Sequence, residues 1–264
     1  MRARLGQVRK TPASVQGRRV PDGKAAALPR AGRAHAAVAA VLGSRIVRGE
    51  FPPGGIIPNE TSWATDFKVS RSVVREAIKM LTAKNLLTSR PKIGSRVEPK
   101  ENWNLLDHEV LAWYLAGPNR GTILRSLQQF RHIIEPEAAA LAAVKRSSAQ
   151  MEVISRACAD MASAPNLARR SDADVRFHLA ILKASGNELL VPLGVLIDSA
   201  LKNLFVLTTR EAGDLHHAQD LHYAIEKAIR QKKANAARIA VRRLLDNSDK
   251  LIAKWADKSA RRAT

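Results

Sequence analysis

The sequence has a single cysteine among its 264 residues and no long apolar run. One cysteine, Cys158, excludes an internal disulfide and any metal site built from several thiolates, as expected in a reducing compartment. No window approaches the roughly 18 consecutive apolar residues that a membrane span requires. The basic start is not followed by the apolar run of a secretory signal, so we expect a cytoplasmic protein without a membrane partner.

Acidic residues are scarce in the first 97 residues. This part contains 19 Lys and Arg against 5 Asp and Glu, whereas residues 98–264 contain 25 against 19. Most of the net charge of +20 therefore lies near the N-terminus. The distribution predicts an N-terminal region that binds a polyanion, joined to a domain of nearly balanced charge.

Apolar periodicity and turn residues divide the chain into five parts. Residues 1–33 show no periodicity and predict a disordered basic arm, unless the start is mis-assigned. Residues 34–99 contain three helical segments and two short strands around a glycine turn, which is the pattern of a winged helix-turn-helix. We expect a linker helix at 100–118, an all-helical bundle at 119–258 with one helix over 188–209, and a disordered tail at 259–264. The predicted fold is mainly α, with six or seven helices in the bundle.

The third helical segment, which Ser70 can cap, divides its side chains between two faces. Val74, Ala77 and Leu81 fall on one face, and basic and polar residues fall on the neighbouring one. Because guanidinium donors match guanine edges and phosphates, this second face predicts DNA binding in the major groove. The alternative is a solvated basic face. The candidate DNA-binding residues are Arg71, Ser72, Arg75 and Lys79 on the helix, and Arg90, Lys92 and Arg96 in the hairpin.

Four polar residues of the bundle occupy positions that helical spacing turns inward. Asp174 and His178 lie one turn apart on one face, and His222 and Arg131 lie on inward faces of other helices. A buried guanidinium is costly without a carboxylate, which either a ligand or Glu135, one turn away, can supply. We expect these four residues to bind an effector, although a satisfied core position is the plainer alternative for each one alone.

The N-terminal motifs resemble the DNA-binding signature of the GntR family of bacterial transcription regulators. They are Phe51-Pro52-Pro53-Gly54, Pro58-Asn59-Glu60, the run Val69–Ala77 and Leu86-Leu87. The resemblance implies that Arg71 and Arg75 contact the operator. Thr61 stands where the FadR subfamily often has a DNA-contacting arginine, and Lys92 replaces a frequent wing glycine. We therefore expect a different affinity or sequence preference.

The rest of the chain resembles the FCD effector domain of the FadR subfamily, through residues 131–136, 174–178, 186–187, His222 and 228–229. Members often hold a divalent metal with one Asp and three His, which implies Asp174, His178 and His222 as ligands here. The fourth ligand position falls at Leu244, which cannot coordinate a metal. Either three protein ligands hold a metal such as zinc and leave positions for a chelating effector, or no metal binds and these side chains hydrogen-bond the effector directly.

Residues 102–113 are similar to the linker of the subgroup that contains the galactonate-operon repressor, which implies a sugar acid as effector. Arg131 would then hold the carboxylate of this metabolite. We expect a homodimer on palindromic double-stranded DNA, with repression relieved by the effector and no enzymatic activity. Two rival functions are a metal-dependent enzyme that uses Asp174, His178 and His222 as a facial triad, and a non-specific nucleoid-type DNA binder.

Overall fold

The computed structural model describes residues 31–90, 93–118, 120–208 and 215–261. Most of the predicted basic arm, the wing residue Lys92 and the last three residues of the chain lie outside these ranges. The described part contains ten α-helices, two short 3₁₀ helices and one two-stranded sheet, which confirms the predicted mainly α fold. None of its helices combines the length and the apolar character that crossing a membrane requires.

The first domain consists of α1 (Ala31–Val47), α2 (Glu60–Phe67), α3 (Arg71–Ala83), β1 (Leu87–Arg90) and β2 (Gly94–Val97). Side-chain caps explain where α2 and α3 begin. The side chain of Asn59 accepts a hydrogen bond from the backbone N–H of Ser62, and that of Ser70 accepts one from Val73. Lys68 adopts a left-handed conformation and ends α2, so a short turn joins the two helices.

The two strands form the predicted wing. They pair antiparallel, with Leu87 opposite Val97 and Arg90 opposite Gly94. Gly94 has φ +99°, a conformation that residues with a Cβ rarely adopt, and it closes the turn between the strands. The wing therefore extends from the end of α3 as the sequence predicts.

The core of the first domain lies between α1, α2, α3 and the wing. Val74, Ala77 and Leu81 are buried along α3, as the helical periodicity predicts. They pack in one cluster with residues of the other elements, among them Val38, Leu42, Ile46, Trp63, Leu87 and Val97. The opposite side of α3 is thereby left facing outward.

The segment predicted as a linker helix contains a 3₁₀ turn (Lys100–Asn102) and the shorter helix α4 (His108–Leu115). The helix begins at residue 108 because a carboxylate oxygen of Asp107 accepts hydrogen bonds from the backbone N–H groups of Glu109 and Val110. This cap fixes the first turn of α4, and the preceding residues run outside the helix.

The second domain is a bundle of six described helices: α5 (Arg120–Lys145), α6 (Ser148–Ala162), α7 (Leu167–Ala184), α8 (Gly194–Thr208), α9 (Leu215–Arg230) and α10 (Ala234–Arg261). The single helix expected over 188–209 is wrong. A 3₁₀ turn at Glu188–Leu190 precedes α8, since Pro192 lacks a backbone N–H and interrupts helical hydrogen bonding. Helix α10 continues to Arg261, beyond the predicted end of the bundle. Helices α5, α7, α9 and α10 surround the polar residues described below.

Candidate functional sites

The outward side of α3 presents the side chains that the sequence selected. Arg71 is the first residue of the helix and Arg75 follows one turn later, and both are exposed. Ser72 and Lys79 are exposed as well; the hydroxyl of Ser72 lies 2.8 Å from that of Ser70, and Lys79 donates to Glu76 over 2.9 Å. Exposed donors in the first turns of a helix-turn-helix are the groups that reach base edges in a major groove.

The wing borders this helix face. Arg90 is exposed at the end of β1, while Arg96 donates through Nη1 to the backbone oxygen of Gly54, 2.7 Å away. A cleft of about 540 Å³ lies between the start of α2, α3 and the wing, and its lining includes Arg71, Arg90 and Ser95. The structure therefore brings Arg71 and Arg90 to one concave basic surface, whereas the described contact of Arg96 stabilises the domain itself.

A carboxylate from α2 contacts this surface. Both oxygens of Glu60 accept hydrogen bonds from Arg75, with Nε at 3.0 and 3.2 Å and Nη2 at 2.8 Å. These hydrogen bonds lower the pKa of Glu60 and raise the pKa of Arg75. Glu60 belongs to the motif Pro58-Asn59-Glu60, but no helical spacing relates it to Arg75, so the sequence did not indicate this ion pair.

Three helices bring the predicted polar residues of the bundle together. Asp174 and His178 extend from α7, His222 from α9 and Arg131 from α5, and all four are buried. One donor atom from each of Asp174, His178 and His222 lies within 4.8 Å of the others. Nε2 of His222 is 2.9 Å and Nε2 of His178 is 3.5 Å from Oδ1 of Asp174.

The outer nitrogens of the two imidazoles have their own neighbours. Nδ1 of His222 donates to the backbone oxygen of Ala218 over 2.7 Å, because a carbonyl oxygen can only accept. This tautomer leaves a lone pair on Nε2 of His222. Nδ1 of His178 lies 2.7 Å from Oε2 of Glu135, so its Nε2 also faces Asp174. Such contacts orient metal-binding histidines in many proteins.

The donor atoms of this cluster fit a divalent metal. When both imidazoles are neutral, Oδ1 of Asp174 and Nε2 of His178 and His222 are buried acceptors that face one another with no donor between them. Buried polar atoms without partners are costly, and a cation between them would satisfy all three. Two imidazole nitrogens and a carboxylate oxygen form a ligand set that zinc accepts. Leu244 lines the same cavity of about 60 Å³ and supplies no ligand.

A proton can also balance the negative charges of the cluster when no cation is bound. Burial opposes the charged form of His178, but the carboxylates of Glu135 and Asp174 outweigh it and raise the pKa of His178 to about 9. Burial likewise opposes ionisation of Glu135, but Arg131 and His178 lower its pKa to about 2. Because a metal ligand must be a neutral imidazole, metal and proton compete for this site.

Comparison with known proteins identifies the two domains that contain these residues. Residues 34–97 match the family model of bacterial regulatory proteins, gntR family, and residues 126–247 match that of the FCD domain. The chain is 37% identical over 212 residues to "Uncharacterized HTH-type transcriptional regulator YieP" of Escherichia coli K12, covering 79% of this chain and 91% of that protein. The chain belongs to the gntR family of bacterial regulatory proteins.

Other relatives of this gntR-family chain include the "Galactonate operon transcriptional repressor" of Escherichia coli K12. The two are 30% identical over 209 residues, which cover 78% of this chain and 91% of the repressor. The solved structure of Lar, which controls expression of the Listeria monocytogenes agr system, has a TM-score of 0.55 and 17% identity, and covers 83% of this chain and 96% of that chain. This structural likeness shows the fold alone. The family resemblance inferred from the sequence motifs is confirmed, and the protein is a DNA-binding transcriptional regulator.

The FCD domain of this gntR-family regulator also contains contacts that the sequence left open. Nε of Arg131 donates to Oε1 of Glu135 over 2.6 Å, so a carboxylate of the protein engages the guanidinium. The four-residue spacing of Arg131 and Glu135 had already indicated this pairing as one of two alternatives. The contact of Glu135 with His178 crosses between helices, and no spacing rule could indicate it. Ser248 also lines the cavity from α10, and no sequence pattern indicated it.

Proposed function

We propose that this regulator is a cytoplasmic homodimeric repressor, and not an enzyme, that binds a palindromic operator and leaves it when a sugar acid enters the FCD pocket. The first support is the outward face of α3. Arg71 and Arg75 stand one turn apart on a helix whose other face is locked into a core, next to a wing with an exposed arginine. A second copy related by a twofold axis would present the same residues to a second half-site.

The buried cluster supports an effector that carries a carboxylate and hydroxyl groups. A divalent cation held by Asp174, His178 and His222 would act as a Lewis acid for such oxygen ligands. The family resemblance implies that Leu244, which lines the cavity, stands at the fourth ligand position, so coordination positions would be left for oxygens of the effector. The similarity to a galactonate operon repressor favours a sugar acid.

The size of the cavity connects effector binding to a change in shape. Its volume of about 60 Å³ is far below the roughly 300 Å³ at which small-molecule pockets begin. A sugar acid therefore requires the helices around the cavity to separate. Leu204 of α8 lines the cavity and also packs with Leu111 and Leu115 of α4. Opening the cavity would thus move α4, which contacts the DNA-binding domain.

An operator-binding experiment tests this function. Fluorescence anisotropy with the DNA upstream of the protein's own gene should show tight binding that competitor DNA of scrambled sequence does not remove. Arg71→Ala should weaken specific binding at least tenfold, because one bidentate base contact contributes roughly that much. Arg176→Ala is the matched control, since Arg176 is an exposed arginine of α7 that pairs with Asp160. Equal affinity of the wild type for both DNAs would contradict the proposal and favour a non-specific DNA binder.

A thermal-shift screen of sugar acids, with and without a chelator, tests the proposal that a sugar acid is the effector. We expect one sugar acid to raise the unfolding temperature and to release the operator in the same concentration range. His222→Gln should abolish both effects and spare operator binding. A sugar acid that stabilises the protein without affecting DNA would contradict repression relieved by effector, and turnover of the sugar acid would favour the enzyme alternative.

A further inference from the structure

The ion pair between Glu60 and Arg75 joins the first residue of α2 to the second turn of α3. Three donor–acceptor distances between 2.8 and 3.2 Å connect Nε and Nη2 of the arginine with both carboxylate oxygens. The side chains are 29% and 54% exposed, so the pair lies at the surface that the proposed function assigns to DNA. No described core contact requires a carboxylate at this place, since the side chain points to the outward face of α3.

The geometry determines which donors of Arg75 stay available. A guanidinium has five N–H groups, and its side edge, formed by Nε and Nη2, is the one that Glu60 engages. The end edge, formed by the remaining hydrogens of Nη1 and Nη2, is left for another partner. Two parallel donors of this kind match O6 and N7 of guanine.

We propose that Glu60 is a specificity-determining positioning residue, which holds the guanidinium of Arg75 so that only its end edge reaches a guanine in the operator. The inference rests on the proposed contact of Arg75 with bases. A free arginine can swing to a phosphate of any sequence, whereas a clamped one has a single orientation. Glu60 thereby favours base readout over backbone binding.

The negative charge of Glu60 also favours base readout over binding to the DNA backbone. Paired with Arg75, it cancels one positive charge of the recognition surface and places a carboxylate near the phosphates. Non-specific DNA binding depends on the number of neutralised phosphates, so the pair weakens it. Discrimination is a difference between two affinities, and lowering the affinity for wrong sequences raises it.

The carboxylate of Glu60 has a fixed position because the N-terminal end of α2 is well anchored. The side chain of Asn59 caps the helix directly before Glu60, and Trp63, one turn on, is buried in the core and stacks on Phe67. The carboxylate is therefore carried by a fixed backbone.

The pair Arg45–Glu50 offers a matched control: it is an exposed ion pair of the same domain, and its arginine lies on α1.

Selection of bound sequences from a random DNA library tests the inference, with the full-length wild type, Arg75→Ala, Glu60→Gln and Glu50→Gln. Arg75→Ala should relax the preference for guanine at one position of each half-site. Glu60→Gln should relax the same position, and a double variant that combines Arg75→Ala with Glu60→Gln should relax nothing further. On individual duplexes, Glu60→Gln should reduce the ratio of operator to scrambled affinity about tenfold. It should also tighten binding to the scrambled duplex and steepen the salt dependence by about one unit of slope. Glu50→Gln should behave as the wild type.

Each other outcome overturns the inference, and the outcomes separate it from the proposed function. If Arg75→Ala relaxes a position and Glu60→Gln relaxes none, Glu60 does not position Arg75, and the DNA contact of Arg75 stands. If Arg75→Ala changes no preference, the assignment of Arg75 to base readout fails and the role of Glu60 fails with it. If Glu60→Gln weakens both duplexes equally and lowers the unfolding temperature, Glu60 has a structural role only.

Discussion

Leu244 limits how many protein atoms can reach a cation in the FCD pocket. Its side chain lines the cavity together with Asp174, His178 and His222, and it is 4% exposed. An aliphatic side chain offers no electron pair, so a metal bound by Asp174, His178 and His222 would gain no ligand from residue 244. A site with open positions binds its metal less tightly than a closed one and takes up ligands from solution.

Leu244→His should convert the open site into a closed one. The new histidine would supply a third imidazole as the fourth protein ligand, at a position that the effector is proposed to use. Zinc affinity should therefore rise more than tenfold, since even an outer-shell partner of a metal site changes the affinity roughly tenfold. Competition with a chromophoric chelator measures this affinity. Leu244→Ile, an apolar change of equal volume that adds no ligand atom, should leave it unchanged. A histidine variant that binds zinc no better than the isoleucine variant would show that residue 244 does not face the proposed metal site.

Helical spacing predicted which side chains of the bundle point inward, but not how they pair. Arg131, Asp174, His178 and His222 are all buried, as their positions along the helices indicated. Contacts within one helix, such as that between Arg131 and Glu135, follow from the same rule. Contacts between elements do not, because they depend on the crossing of helices that are distant in sequence. The pairs Glu135–His178 and Glu60–Arg75 are of this second kind.

At the scale of elements, α4 is held to the first domain by polar and apolar contacts. Nζ of Lys84, at the end of α3, lies 2.6 Å from a carboxylate oxygen of Asp107 and 2.8 Å from one of Glu109. Apolar spacing alone predicted a longer linker helix. Asp107 sets the start of α4. The first N–H groups of a helix have no partner within it, and the carboxylate of Asp107 accepts hydrogen bonds from those of Glu109 and Val110.

The ring of Trp113 in α4 fits against α1 at Gly43. A Cβ at residue 43 would lie 2.2 to 2.7 Å from ring atoms of Trp113, closer than such atoms approach in proteins. Gly43→Ala should therefore displace α4 and lower the free energy of unfolding by about 1–3 kcal/mol, as overpacking does. Urea denaturation measures the change.

Gly121→Ala is the control for this prediction. Gly121 is also helical, and a Cβ there would meet only Nη1 of Arg125, at 3.8 Å. Because alanine forms helices better than glycine, we expect this variant to be as stable as the wild type or slightly more stable. Equal stability of the two alanine variants would mean that α1 and α4 separate without cost.

At the scale of the whole molecule, α4 is shared by two hydrophobic cores. Val110 belongs to the core of the DNA-binding domain, whereas Leu111 and Leu115 pack with α5 and α8 of the FCD domain. The asymmetry of charge already divided the chain into a DNA-binding part and a balanced part. That asymmetry could not show that consecutive residues of one short helix belong to different domains, because burial on both sides is a property of the assembled structure.

Leu111→Ala should separate the unfolding of the two domains. Leu111 is fully buried, and its truncation should cost about 2–5 kcal/mol at the contact through which each domain stabilises the other. Calorimetry should then resolve two transitions where the wild type shows one. Leu182→Ala removes a buried leucine of α7 that packs away from α4, so it should lower a single transition. If Leu111→Ala also shows one lowered transition, the contacts of α1 and α3 with α4 suffice to couple the domains. Leu111 would then not carry the signal from the pocket to the DNA-binding surface.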